Sequence, residues 1–303
     1  MYDLIIVGAG PAGLTAGIYA LRANLKVLMF ERESIGGQIS SSPLVENYPG
    51  FTSISGAELS NNLYEQYTNL GGELELEEVL SIKPGKEKII TTDFGKYKAK
   101  AIIIATGAKH KMLGINREEE LVGKGISYCA TCDGAFYKEK IVAVIGGASS
   151  AVTNAIYLSS IAKKVYLIYR KSELRCESIL KERLESHHNI EIKYNTIVTK
   201  LIGADELEAI ELNNSEKLDV DGVFISIGVD PNTEIIKDLL PLNNDNYISS
   251  LDTKTNIEGI FVAGDVRDKD LRQLTTATSD GSIAATYAID YIRSLKWDIE
   301  DLK

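Results

Sequence analysis

The chain of 303 residues is 44% apolar and 25% charged, ordinary values for a globular protein, and at about 150 residues per domain its length predicts two domains. Lys and Arg number 33 against 43 Asp and Glu, and the net charge of −10 argues against a nucleic-acid binder, which needs a basic face. Three cysteines (Cys129, Cys132, Cys176) are too few for a disulfide-rich scaffold, and no histidine lies near the cysteine pair in sequence, so no metal site is expected.

Residues 4–21 carry no charge, the minimum length for a membrane span. Three glycines and Pro11 interrupt that run and Asp3 precedes it, so a buried strand, a tight loop and a buried helix are predicted instead. No targeting or membrane segment is expected, which makes a cytoplasmic location the default. The loop is Gly8-Ala9-Gly10-Pro11-Ala12-Gly13, and Glu31 ends the next strand 23 residues after Gly8. In such a unit the first glycine makes the turn, the second lets the backbone approach a pyrophosphate, and the third allows helix–strand packing. The helix N-terminus offers N–H groups to the phosphates, and the acid accepts from an unphosphorylated ribose, pointing to FAD or NAD.

Polar–apolar alternations follow at 73–79, 86–92 and 96–101, then a buried strand and a turn, Ile102-Ile103-Ile104-Ala105-Thr106-Gly107. Residues 140–170 repeat residues 2–32 without gaps at an offset of 138, predicting a second βαβ unit. It continues through 190–194, 207–212 and Val223-Phe224-Ile225-Ser226-Ile227-Gly228. A last buried strand, 259–265, and a helix over 280–294 have no counterpart in the second copy. The fold class is therefore α/β, with two Rossmann-like three-layer dinucleotide-binding domains and the second inserted in the first. The first spans 1–113 and 243–303 and holds FAD; the second spans 114–242. Gly264-Asp265, followed by Gln273, suits the ribityl and flavin end of FAD.

Cys129-Ala130-Thr131-Cys132-Asp133 stands just before the second repeat. Two thiols at that spacing can form a small reversible disulfide, too short a loop to stabilise the fold greatly. Asp133 is a candidate proton carrier, and Cys176 an incidental free cysteine.

Together these segments resemble the low-molecular-weight thioredoxin reductases along essentially the whole chain. The matching residues are GAGPAG (8–13), Gly36-Gly37-Gln38, Glu46-Asn47-Tyr48-Pro49-Gly50, ATG (105–107), CATCDG (129–134) and GDVRDKDLRQ (264–273). The resemblance implies that Cys132 lies against the flavin, that Cys129 attacks the disulfide of thioredoxin, and that Asp133 is the general acid/base. It implies FAD contacts from Gly8, Gly10, Pro11, Ala12, Gly13, Glu31, Gly37, Gln38, Asn47, Thr106, Gly107, Asp265, Arg272 and Gln273. It also implies a homodimer.

The second loop departs from the family pattern. Gly146-Gly147-Ala148-Ser149-Ser150-Ala151 has alanine where G-x-G-x-x-A has its second glycine. Tyr169-Arg170-Lys171-Ser172-Glu173-Leu174-Arg175 replaces the family's H-R-R-x-x-x-R, which grips a 2′-phosphate. One reading keeps a residual NADPH site at Gly146, Ser149, Ser150, Arg170, Lys171 and Arg175. The other, preferred on two departures in two submotifs, takes reduced ferredoxin as donor. Arg267, Lys269 and Arg272 are candidate docking cations for it in an otherwise acidic chain. An oxygen-using dithiol oxidase and a non-catalytic flavin-binding module are the competing classes.

Overall fold

The computed structural model describes residues 1–42 and 44–300, and of 296–300 only the backbone. In chain order, β1 (Tyr2–Val7), α1 (Pro11–Arg22) and β2 (Val27–Phe30) form the first βαβ unit. Then come α2 (Gly56–Asn69), β3 (Glu73–Glu75), β4 (Val79–Lys83), β5 (Lys88–Thr92), β6 (Lys96–Ile104) and β7 (Ala108–His110). The middle of the chain holds β8 (Ile126–Ser127), α3 (Ala130–Asp133), β9 (Ile141–Ile145), α4 (Ser149–Ser159), β10 (Lys164–Ile168), α5 (Ser178–Glu185) and β11 (Ile190–Lys193). It continues through β12 (Val198–Ile202), β13 (Ala209–Leu212), β14 (Lys217–Asp219) and β15 (Gly222–Ile225). After β16 (Val229–Pro231), the chain ends in β17 (Ile260–Val262) and α6 (Leu274–Glu300).

Two compact units result, 1–109 with 230–303, and 110–229. They part at 109/110 and 229/230 rather than at the expected 113/114 and 242/243. The second displacement has a clear cause: Ile236 and Leu240 bury against the first sheet, with Ile5, Val7 and Ile248. The crossings run through β7 and β16, which pair with each other.

In the first unit, β3, β2, β1 and β6 are parallel neighbours, and β17 joins β6 along Ile102–Ile104. The N-terminal half of β6 instead pairs antiparallel with β5, which pairs with β4. Successive β1 side chains alternate between two cores: Leu4 and Ile6 on the α1–α6 side, Ile5 and Val7 on the other. Strands buried on both faces need continuous apolar runs, which is why β1 shows no polar alternation. Helices α1 and α6 meet through small residues, so closely that a Cβ on Gly281 would overlap the Ala12 carbonyl oxygen.

The second unit repeats the plan with an all-parallel sheet, β11-β10-β9-β15-β8, beside an antiparallel meander β12-β13-β14. The mixed α/β class with two parallel sheets is the expected one. Residues 73–79, read from the sequence as one polar–apolar alternation, divide between parallel edge strand β3 and antiparallel β4. Strand β12 has no counterpart among the predicted elements. Helix α6 begins at Leu274 rather than at 280, because Thr276 Oγ1 accepts from the Gln273 N–H at 3.1 Å and satisfies that end. No helix among the described residues is long and apolar enough to cross a membrane.

Candidate active site

The first glycine loop joins β1 to α1. Gly8 has φ +108°, and a Cβ there would overlap the carbonyl oxygen of Ala105 at the end of β6. A Cβ on Gly13 would overlap Gly8's own carbonyl oxygen. Gly10 is different: it caps α1 in extended conformation (φ −74°, ψ 179°) and a Cβ would meet nothing within 4 Å. Open space at a helix N-terminus, with Pro11 at the first helical positions where its missing N–H costs nothing, is an anion cradle. The residues therefore fit the diphosphate of a dinucleotide. Ala12 and Gly13 are buried in the first turn of α1.

Glu31 holds this loop as well as facing the cleft. Its Oε2 accepts from the Ala9 N–H at 2.8 Å, while Oε1 accepts from the N–H groups of Arg32 and Glu33. A carboxylate has about four acceptor sites, so a ribose can still be bound. Gly8, Glu31, Arg32, Val79, Thr106 and Asn232 line one cleft. Arg32, Val79 and Asn232 lie outside the sequence motifs, and no local pattern marks them. Asn232 ties to the ATG turn: Thr106 Oγ1 donates to its carbonyl oxygen at 2.7 Å, and its side-chain amide donates to Thr106 O at 2.8 Å. Gly107 has φ +68° and its carbonyl accepts from the Asn232 N–H.

The other expected FAD contacts converge on the same unit. Gly37 opens a 3-10 turn beside Gly10, and the Gln38 side chain donates to Ala108 O. Asn47 Nδ2 donates to Gln273 Oε1 at 3.4 Å, joining two motifs 226 residues apart. Arg272 lies 3.8 Å over the Tyr247 ring. Asp265 follows β17 in a 3-10 turn, its Oδ1 buried without a hydrogen bond and 3.3 Å from Lys269 Nζ. The turn that carries it packs on α1, since a Cβ on Gly264 would press on Ala12 Cβ.

Two of the three cations expected to dock ferredoxin are not on the surface. The Arg267 and Lys269 side chains are 15% and 7% exposed and both bind Asp280, at 2.9 and 3.0 Å. Burial alone would raise the Asp280 carboxyl, but bonds and charge from Arg267 and Lys269 outweigh it and hold it below the usual carboxylate range.

In the second unit Cys129 and Cys132 form a disulfide, with Cα atoms 5.3 Å apart. Cys129 caps the short helix α3, and the Cys132 N–H points at its Sγ at 3.2 Å. An N–H aimed at a sulfur favours the thiolate once the bond is reduced. Asp133 is at the end of that turn, half-buried, and Ser127 Oγ donates to its Oδ2 at 2.6 Å. Burial raises the Asp133 carboxyl, and the Ser127 bond opposes that rise. Buried Glu118, which no motif marks, accepts from the N–H groups of Leu113 and Gly114 and from Tyr128 OH at 3.0 Å. Tyr128, next to Cys129, stacks on His110 with centroids 4.9 Å apart. Cys176 is a free thiol, half-buried against the second core.

The second glycine loop copies the first until the ligand would enter. Gly146 has φ +147°, and a Cβ there would overlap Ser226 O, as at Gly8 and Ala105. Ala148 caps α4 at φ −92°, ψ 174°, close to the angles of Gly10, so its Cβ occupies what is open space at Gly10. Tyr169 replaces Glu31, and its ring packs so tightly on Gly147 that a Cβ there would overlap it. Its hydroxyl is buried without a hydrogen-bond partner. Ser149, Ser150, Arg170, Lys171 and Arg175 are exposed, and the Arg175 N–H donates to Gly147 O at 2.7 Å.

Residues 2–281 match the model of the pyridine nucleotide-disulphide oxidoreductase family. The chain is 43% identical to a thioredoxin reductase of Bacillus subtilis, over 100% of this chain and 98% of that one. It is 42% identical to a thioredoxin reductase of Listeria monocytogenes, over 99% and 97%. Among solved structures, thioredoxin reductase from Streptococcus pyogenes superposes with a TM-score of 0.93 at 40% identity, covering 97% of this chain and 99% of that one.

Proposed function

Because the chain belongs to the pyridine nucleotide-disulphide oxidoreductase family, we propose that it is a FAD-dependent thioredoxin reductase fed by an iron–sulfur donor, reduced ferredoxin, rather than by NADPH. Bound FAD would supply two-electron exchange with the disulfide. The residues that would hold it are those of the first unit: Gly8, Gly10, Pro11, Ala12, Gly13 and Glu31 at the diphosphate and ribose, with Gly37, Gln38, Asn47, Thr106, Gly107, Asp265, Arg272 and Gln273 around it. In the second unit Cys129 carries the attack on thioredoxin, Cys132 completes the internal disulfide, and Asp133 carries the proton. The working form in this proposal is a homodimer in the cytoplasm.

The observation that carries the donor assignment is the contrast between two loops of one backbone design. Where Gly10 leaves room and Glu31 offers acceptors, Ala148 places a methyl group and Tyr169 an aromatic ring. A second reading, NADPH, is favoured by the exposed Arg170, Lys171 and Arg175, although Lys lacks the planar fork that suits a phosphate.

The test uses the FAD-loaded protein with reduced ferredoxin and oxidised thioredoxin. Cys129→Ser and Cys132→Ser each abolish thioredoxin reduction while flavin absorbance shows FAD still bound. Turnover retained in either variant contradicts the assigned path. Rapid aerobic reoxidation with a small dithiol, and none of the thioredoxin disulfide reduced, would instead identify a dithiol oxidase.

A further inference from the structure

Ser127 ends β8, and its main chain is fixed in the sheet by pairing with Phe224 of β15. The residue is 4% exposed, and its side chain sits between the two parts of the exchange site. The hydroxyl donates to Asp133 Oδ2 at 2.6 Å and accepts from the Cys129 N–H at 3.0 Å, with a longer contact to Cys129 O at 3.3 Å. Asp133 Oδ1 is buried with no hydrogen-bond partner, so among the described residues this hydroxyl is the donor that holds the carboxylate.

On the disulfide-exchange reading above, we propose that Ser127 is a positioning residue: it clips the Cys129 main chain to the Asp133 carboxylate and keeps nucleophile and proton carrier in one geometry. A serine on a strand suits this task, since a single side-chain torsion separates the bridging oxygen from a sheet-fixed backbone. In the reaction it serves, the Cys129 sulfur bonds to one thioredoxin sulfur as the thioredoxin disulfide breaks. The Cys132 sulfur then displaces that thioredoxin sulfur and restores the internal disulfide. Two electrons and the two thiol protons pass to thioredoxin, and Asp133 is the group that carries a proton between them.

Besides the two thiols freed on reduction, the titratable neighbours of Asp133 are tyrosines, and the charges of Glu206 and Asp221 act with it on one of them. Tyr137, in the turn that follows, is pushed up to about 12, first by burial and then by the Asp133 charge, and stays neutral. Tyr157 of α4 lies against neighbouring Gly134. Neither competes with Ser127 as a bonded partner of the carboxylate.

The test is independent of the natural donor. The FAD-loaded protein is reduced anaerobically with dithionite, freed of excess reductant, and mixed with oxidised thioredoxin in a single turnover across the neutral pH range. Ser127→Ala slows the transfer about tenfold and moves the pH limb that Asp133→Asn removes toward higher pH, since a bond favouring the carboxylate is lost. Ser127→Thr, which keeps the hydroxyl, restores both. In the Asp133→Asn background, Ser127→Ala costs less than about twofold, because residues acting as one unit are not additive. A limb that stays in place, or an equal slowing with and without the Asp133 carboxylate, overturns the positioning role. Failure of the parent protein to reduce thioredoxin overturns the exchange reading itself.

Discussion

Asp280 is 4% exposed and sits among two cations and a backbone N–H: Arg267, Lys269 and Gly264 all donate to it. It fixes the turn that carries Asp265 and joins it to α6. Asp280→Asn removes the shared counter-charge of two buried cations, leaving Lys269 its contact to Asp265 and Arg267 its longer one to Asp252, and costs about 3 kcal/mol, read from the urea midpoint of the FAD-loaded protein. The pH dependence follows from the sign of the shift. The folded carboxyl lies below its unfolded value of about 3.9, so its stabilisation is fully present above that value. It is lost as pH falls through the depressed folded value, and the Asn variant lacks that part of the acid limb. An unchanged midpoint and an identical acid limb would show that the network contributes nothing. Charge in a sequence shows no pairing, which is why Arg267 and Lys269 looked like surface cations. Glu118 was equally invisible, since its partners are main-chain groups and a tyrosine brought together only by folding.

At the scale of elements, the glycine loops were legible because their requirements are local. A positive φ and a close carbonyl demand glycine at positions 8 and 146, and the strand residues leading into them, 4–7 and 141–145, are uninterrupted apolar runs. The ends of elements were less legible. Strand β12 is short and half-polar, and α6 starts in a Thr-rich turn whose own hydroxyls cap it. Residues 73–79 alternate as a strand should, yet alternation does not say which neighbour a strand pairs with. The contrast between the loops yields a prediction: Ala148→Gly with Tyr169→His reopens the second cradle and raises the rate of flavin reduction by NADPH about tenfold, equivalent to 1.4 kcal/mol. Stopped-flow flavin absorbance measures it, and an unchanged rate would place the block outside these two residues.

The whole molecule follows from one duplicated design. The repeat at an offset of 138 predicted two nucleotide-type sheets, and the strand with no second copy predicted that the chain returns to its first unit after leaving it. The polar crossings did not reveal where it returns, because Ile236 and Leu240 carry an apolar pattern that suits either unit. The cysteine pair stands at the start of the second unit, before its glycine loop, so the redox part of the unit is separate in sequence from the loop that departs from the first. That combination is the basis for separating thioredoxin reduction from pyridine nucleotide. The direct measurement is anaerobic mixing of the FAD-loaded protein, in the presence of thioredoxin, with reduced ferredoxin or with NADPH, following flavin absorbance and thioredoxin thiols together. Reduced ferredoxin bleaches the flavin and yields new thioredoxin thiols, and micromolar NADPH does neither. Fast bleaching by micromolar NADPH, with thiols following, would contradict the ferredoxin assignment.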